Sequence, residues 1–154
     1  MRVFVSYRRD DAGGHAGRLA DDLAERLPGA TVFHDVESIG PGVDFVTAIR
    51  QAIATADAVL VVIGPEWTTV TEPTEPSGGP RLSQPDDVVR LEVAAALAQQ
   101  KWVIPVLVGA AVMPDAASLP ADITALAHRN AVEIRQEAWD DDVDRLATAL
   151  GAPA

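Results

Sequence analysis

Residues 57–64 read "DAVLVVIG", and from Ala58 to Ile63 every position is apolar. A strand with one face in water alternates apolar and polar side chains, so an uninterrupted run implies burial on both faces. That is the situation of a central strand in a parallel sheet covered by helices on each side. At six residues the run is far short of the ~20 that a membrane-crossing helix needs.

The neighbouring segments supply the other layers. Residues 3–6 form a short β-branched and aromatic strand candidate, and Ala16, Leu19, Ala20, Leu23, Ala24 and Leu27 then recur at helical spacing up to Pro28-Gly29. Residues 31–34 give a second strand, after which "DVESIGPGVD" carries too many turn residues to continue it. Phe45, Ala48, Ile49, Ala52 and Ile53 make the next helical stripe. Residues 88–100 form an alanine-rich helix, 102–108 a fourth buried strand, 120–127 a short helix and 131–134 a weak last strand. Val143, Leu146, Ala147 and Leu150 close the chain as a helix, with Asp140 to Asp142 favourably placed at its positive end. The Pro/Gly/Ser/Thr-rich stretch 71–86, "TEPTEPSGGPRLSQPD", reads as a mobile loop, either a lid or a passive insertion.

Strands alternating with helices give the fold class: α/β, a flavodoxin-like three-layer sandwich whose five-stranded parallel sheet has the order 2-1-3-4-5. In such sheets ligands bind beyond the carboxyl ends of the strands where the winding direction reverses, here beside strands 1 and 3. Tyr7, Arg8 and Arg9 follow strand 1 and belong on that rim, where a ring and two guanidinium groups suit an adenine-and-phosphate ligand. The alternative is that either arginine pairs with Asp10-Asp11 or with acids of the loop after strand 2.

Composition removes several function classes. A net charge of −11 with only twelve Lys and Arg argues against general nucleic-acid binding. Eleven of those twelve are arginine, which suits a local anion site. No cysteine is present, which rules out thiol nucleophiles and thiolate metal sites, and His15, His34 and His128 are too scattered to imply a metal. Arg8 to Asp11 interrupt any signal-peptide pattern, so the expected location is cytoplasmic, with no membrane contact. No Walker loop, G-x-G-x-x-G or G-x-S-x-G occurs. A receiver domain would use Asp10-Asp11 but needs an aspartate ending strand 3, where this chain has Gly64-Pro65.

Five ordered motifs carry a resemblance. "VFVSYRRDDA" resembles the first box of Toll/interleukin-1 receptor (TIR) domains, and "VFHDVESIGPGVDFVTAIRQAI" is similar to their second strand and BB loop. "ADAVLVVIGPEW" looks like their third strand, and "DDVVRLEVAAAL" and "VIPVLVGAAVMP" follow in the order of bacterial TIR proteins. The resemblance implies a TIR domain over residues 1–150, with 151–154 a tail that reads as the start of a linker to a further domain.

It also implies one of two functions: cleavage of NAD+ between nicotinamide and ribose, or a catalytically silent module that recruits other TIR domains. For the first, the resemblance places the catalytic carboxylate at Glu92, with no cofactor and no metal, NAD+ being the substrate. Substrate contacts implied by the matching motifs are Tyr7, Arg8, Arg9, Asp35, Ile39, Gly42, Trp67 and Val88. Asp35 would orient Arg9 or a ribose hydroxyl, or cap a turn. Trp67 would wall the pocket, or pack in the core. Val88 stands where many NAD-cleaving relatives carry an aromatic, four residues before the glutamate, and so favours the silent module. The resemblance further implies a role in antiphage defence and self-association into a homo-oligomer or filament through the BB loop, Ser38, Ile39, Gly40, Pro41 and Gly42.

On physical grounds a single carboxylate suffices for this cleavage. Nicotinamide in NAD+ is a cationic pyridinium and leaves as a neutral base without a general acid. Its departure leaves an oxocarbenium-like sugar that a nearby anion stabilises. Glu92 has Val88, Val89, Ala95 and Ala96 as its helical neighbours, so the acid sits among apolar groups; its alternatives are capping a surface turn or pairing with an arginine such as Arg90.

Overall fold

A computed structural model describes residues 1–34 and 41–151 and gives Pro76 by its backbone. Asp35, Ser38, Ile39, Gly40 and the tail residues 152–154 lie outside the described residues. The chain runs β1 (Arg2–Tyr7), α1 (Arg9–Arg26), β2 (Thr31–Phe33), α2 (Phe45–Ala54), β3 (Ala58–Ile63), β4 (Thr71–Glu72), β5 (Glu75–Pro80), α3 (Val88–Ala98), β6 (Trp102–Leu107), β7 (Val132–Glu133) and α4 (Trp139–Ala149).

The parallel sheet has the order β2-β1-β3-β6-β7, which is 2-1-3-4-5 once the β4–β5 hairpin is set aside. The apolar run from Ala58 to Ile63 is the central strand. It pairs with β1 from Val3↔Ala58 to Tyr7↔Val62 and with β6 from Ala58↔Trp102 to Ile63↔Leu107, and all six of its residues are buried. Alternation along the strands divides the core into two layers. Val3, Val5, Leu60 and Val62 pack with Leu19 and Leu23 of α1 and Val143 and Leu146 of α4. Phe4, Val59, Val61 and Ile63 pack with Ile49 and Ile53 of α2 and Val89 and Val93 of α3. Each fully buried Val, Leu or Ile contributes about 1.5–3 kcal/mol of transfer free energy, so these two layers dominate the fold's stability.

Helix ends follow local chemistry. Asp44 caps α2 by accepting from the Val46 amide, and Asp87 caps α3 by accepting from the Arg90 amide. Helix α1 starts earlier than its apolar stripe implies, at Arg9, and its first turn breaks at Ala12, which has non-helical angles. The segment expected as a short helix at 120–127 is a 3-10 helix, Ala121–His128, and the last strand shrinks to Val132–Glu133.

One expectation is corrected outright. The stretch 71–86 is not an open loop: Thr71–Glu72 and Glu75–Pro80 pair antiparallel, and a 3-10 turn, Arg81–Ser83, follows. Gly79 at φ +84° takes a conformation that residues with a Cβ adopt at a cost, so the glycines that read as flexibility build a hairpin. No helix among the described residues is long and apolar enough to cross a membrane.

Candidate functional site

A cleft of about 810 Å³ opens beyond the carboxyl ends of β1 and β2, at the carboxyl edge of the sheet as expected but with none of the residues directly after β3, 64–70, in its lining. Tyr7, Arg8, Arg9 and His34 come from those strand ends. Glu72, Glu75, Gly78, Gly79 and Arg81 of the hairpin segment form one wall, and Val88, Val89 and Glu92 of α3 another.

Glu92 is the buried acid of the cleft, 5 % exposed. The helix spacing puts Val89, Ala95 and Ala96 around it, all buried, while Val88 one turn earlier stands half-exposed at the mouth. The Ser6 hydroxyl, itself fully buried at the end of β1, donates to Glu92 Oε1 at 2.9 Å. Ser6 faces α3 because it shares the strand face of Phe4, two residues earlier. A carboxylate in such surroundings acts through a low effective dielectric, so its attraction for positive charge developing nearby exceeds that of a solvated acid. The alternative partner, Arg90, is turned away: its guanidinium reaches Asp122 at 3.0 Å and the Ser83 carbonyl at 3.0 Å.

Arg8 and Arg9 have separate fates. Arg8 is 3 % exposed and grips Asp87 with both terminal nitrogens, at 2.9 and 2.8 Å. Its partner is therefore neither Asp10 nor Asp11. Asp10 instead takes Arg81 at 2.9 Å, tying the hairpin segment to the start of α1. Asp11 accepts from the amides of Gly64 at 2.9 Å and Glu66 at 2.7 Å, capping the turn after β3. Arg9 is exposed on the cleft wall, and among the described residues no carboxylate pairs with it. Tyr7 Oη lies 3.5 Å from His34 Nδ1, with the two rings edge-on at 5.6 Å.

Two other expected contacts, Trp67 and Gly42, are not brought to the cleft. Trp67 is 1 % exposed in the core layer beneath α2 and α3, with its indole nitrogen buried and lacking a hydrogen-bond partner, so it does not wall the pocket. Gly42 has φ +79°, a turn conformation suited to glycine, and does not line the cleft. Asp35 and Ile39 lie outside the described residues. Conversely, sequence reasoning missed Ser6, His34, Asp87 and the hairpin residues Glu72, Glu75 and Arg81. Asp87 had a readable signal, an aspartate immediately before a helical run. Among the described residues no group of His, Cys, Asp or Glu has the geometry to hold a metal ion.

The model of the TIR domain family matches residues 3–147, nearly the whole sheet and its helices. The chain belongs to the TIR domain family. The TIR domain is 30 % identical over 150 residues to the NAD(+) hydrolase sarm1 of Drosophila melanogaster, a match covering 97 % of this chain and 10 % of that protein. The chain thus spans about a tenth of that relative's length. Among solved structures, the TIR domains of the activated Roq1 resistosome recognising the pathogen effector XopQ superpose with a TM-score of 0.52 at 14 % identity, over 96 % of this chain and 83 % of that one. The CMP N-glycosidase BcmB of Clostridium botulinum gives 0.52 at 17 % identity, over 97 % and 99 %. At such identities these two likenesses concern the fold.

Proposed function

We propose that this TIR domain is an NAD+ nucleohydrolase in which Glu92 is the catalytic carboxylate. The observation that carries the reading is the burial of Glu92 in the cleft, with Ser6 of β1 fixing one of its oxygens. The similarity to a protein named as an NAD(+) hydrolase supports the substrate.

In this reading the bond between the ribose anomeric carbon and the pyridinium nitrogen breaks with its electron pair going to nicotinamide, which departs neutral. Glu92 stabilises the resulting oxocarbenium-like sugar through its charge or through the ribose hydroxyls. Water then attacks the anomeric carbon and loses a proton, giving ADP-ribose; capture by the adenine of the same molecule gives a cyclic ADP-ribose. Arg9 meets the pyrophosphate, since Arg8 is committed to Asp87, and Tyr7 offers a ring beside it. Val88 presents an aliphatic surface to the nicotinamide end. Self-assembly through the BB loop, Ser38 to Gly42, switches the activity on, and the cellular role is antiphage defence through loss of NAD+.

Nicotinamide release from NAD+, measured at high protein concentration with a crowding agent, tests the reading. Glu92→Gln keeps the size of the side chain and an acceptor for Ser6, and is expected to reduce release by about 100-fold or more, the scale of losing one electrostatic stabiliser. Equal rates in variant and parent remove Glu92 from its role. The half-exposed Val88, where an aromatic would stack on nicotinamide, favours a second reading as a non-catalytic module recruiting other TIR domains. That reading requires mixed TIR assemblies with no nicotinamide released by parent or variant.

A further inference from the structure

Of the two arginines that the motif puts forward for phosphate binding, Arg8 is the one buried in an ion pair. Arg8 directly follows β1 and caps the start of α1, its carbonyl accepting from the amides of Asp11 and Ala12 at 3.0 and 2.8 Å. Its guanidinium meets the Asp87 carboxylate in a two-pronged contact, and the pair is almost wholly out of water, 3 % and 9 % exposed. Asp87 is in turn the cap of α3: its Oδ2 accepts from the Arg90 amide at 3.0 Å and its carbonyl from the Leu91 amide at 2.9 Å. Two residues back along β1, on the same face, Ser6 donates to Glu92. The end of β1 is therefore joined to the first turns of α3 at two points, Arg8 to Asp87 and Ser6 to Glu92.

We propose that Arg8 is a positioning residue, acting through Asp87 to hold the first turn of α3, and with it Glu92, against the end of β1. This rests on the reading of Glu92 as the catalytic carboxylate. A guanidinium already engaged by two carboxylate oxygens is a poor ligand for a pyrophosphate, whereas a planar fork meeting a helix cap fixes both the distance and the rotation of the helix. The fixed helix matters because a misplacement of about 1 Å in a reacting group costs on the order of 100-fold in rate.

The test uses the full chain and the substitutions Arg8→Lys, Asp87→Asn and both together. Lys keeps the charge but loses the fork, and Asn keeps an oxygen for the Arg90 amide. For each folded variant, kcat and KM for nicotinamide release are measured with NAD+, alongside hydrogen exchange of the Leu91 and Glu92 amides.

Each single variant is expected to lose about 10- to 100-fold in kcat with KM within about two-fold. The double variant should lose no more than the worse single, because both changes break one contact. The Leu91 and Glu92 amides should exchange at least about ten-fold faster, as the helix turn opens locally. A raised KM at unchanged kcat in Arg8→Lys, with Asp87→Asn like the parent, would make Arg8 a substrate contact and overturn the proposal. Unchanged exchange overturns it whatever the rates, and so does a pair of single variants that do not fold. Glu92→Gln, measured beside them, separates the two ideas: parental activity there sinks the Glu92 reading, while the exchange comparison still decides whether Arg8 anchors α3.

Discussion

Gly64, directly after β3, is expected to resist substitution by alanine for a reason that its backbone does not supply. Its φ lies outside the left-handed region, so replacing it with alanine would ordinarily add about 0.4–1 kcal/mol of stability by restricting the unfolded chain. A Cβ built there, however, falls 2.5 Å from Asp11 Oδ1 and 2.6 Å from both Cγ and Oδ2. The carboxylate would have to leave, and with it the hydrogen bonds from the Gly64 and Glu66 amides. Bonds to a charged acceptor are worth about 1.5–3 kcal/mol each, and with one bond part-buried and the other exposed the lower end applies, about 3 kcal/mol together, so the net loss after the gain should be about 2–2.5 kcal/mol. For a chain of this length that lowers Tm by about 4–10 °C. Thermal and urea unfolding of Gly64→Ala, Asp11→Ala and the double variant measure it. The double should be no less stable than Asp11→Ala alone, because the collision and the capping share one carboxylate. A stabilised Gly64→Ala, or losses that simply add, would refute the reasoning.

Asp142, wholly buried in the first turn of α4, has its carboxyl held down at about 2, first by the side-chain hydrogen bond from Arg135 and then by the Arg135 amide. A depressed carboxyl stabilises the fold above its unfolded value of about 3.9, and that contribution is lost as the pH falls toward 2. Urea titrations from pH 5 down should show a steeper decline for the parent than for Asp142→Asn, and equal slopes would remove Asp142 as a source. Trp67→Phe deletes a buried, unpartnered N–H whose burial costs about 1–3 kcal/mol while opening a cavity of similar cost, so it should change stability by less than about 1 kcal/mol. Nicotinamide release should be unaffected by Trp67→Phe; a selective rise in KM for NAD+ would return Trp67 to the site.

Much of the fold was legible because its determinants are local. The unbroken run at Ala58–Ile63 needs cover on two faces, and it is the central strand. The helical stripes of Leu19 and Leu23, and of Ile49 and Ile53, face opposite core layers as their periods require. The hairpin was misread because Pro and Gly that break regular elements also build tight turns, and local composition does not separate the two uses. Within the site, Glu92, Tyr7 and Arg9 reached the cleft from the motif alone, whereas Trp67 went to the core: a large ring after a buried strand has apolar neighbours on every side that the sequence does not order in space.

Alternating apolar patterns, turn residues and helix caps act over a few residues, so the chain itself determined which segments are strands and helices and which faces they bury. The tertiary structure alone decided that Arg8 meets Asp87, 79 positions away, and that Ser6 meets Glu92, 86 positions away. With 23 acids in the chain, charge chooses none of them for a given arginine. The choice falls to the packing of α3 on β1, which buries one particular guanidinium beside one particular carboxylate and makes any other arrangement leave a charge unpaired out of water.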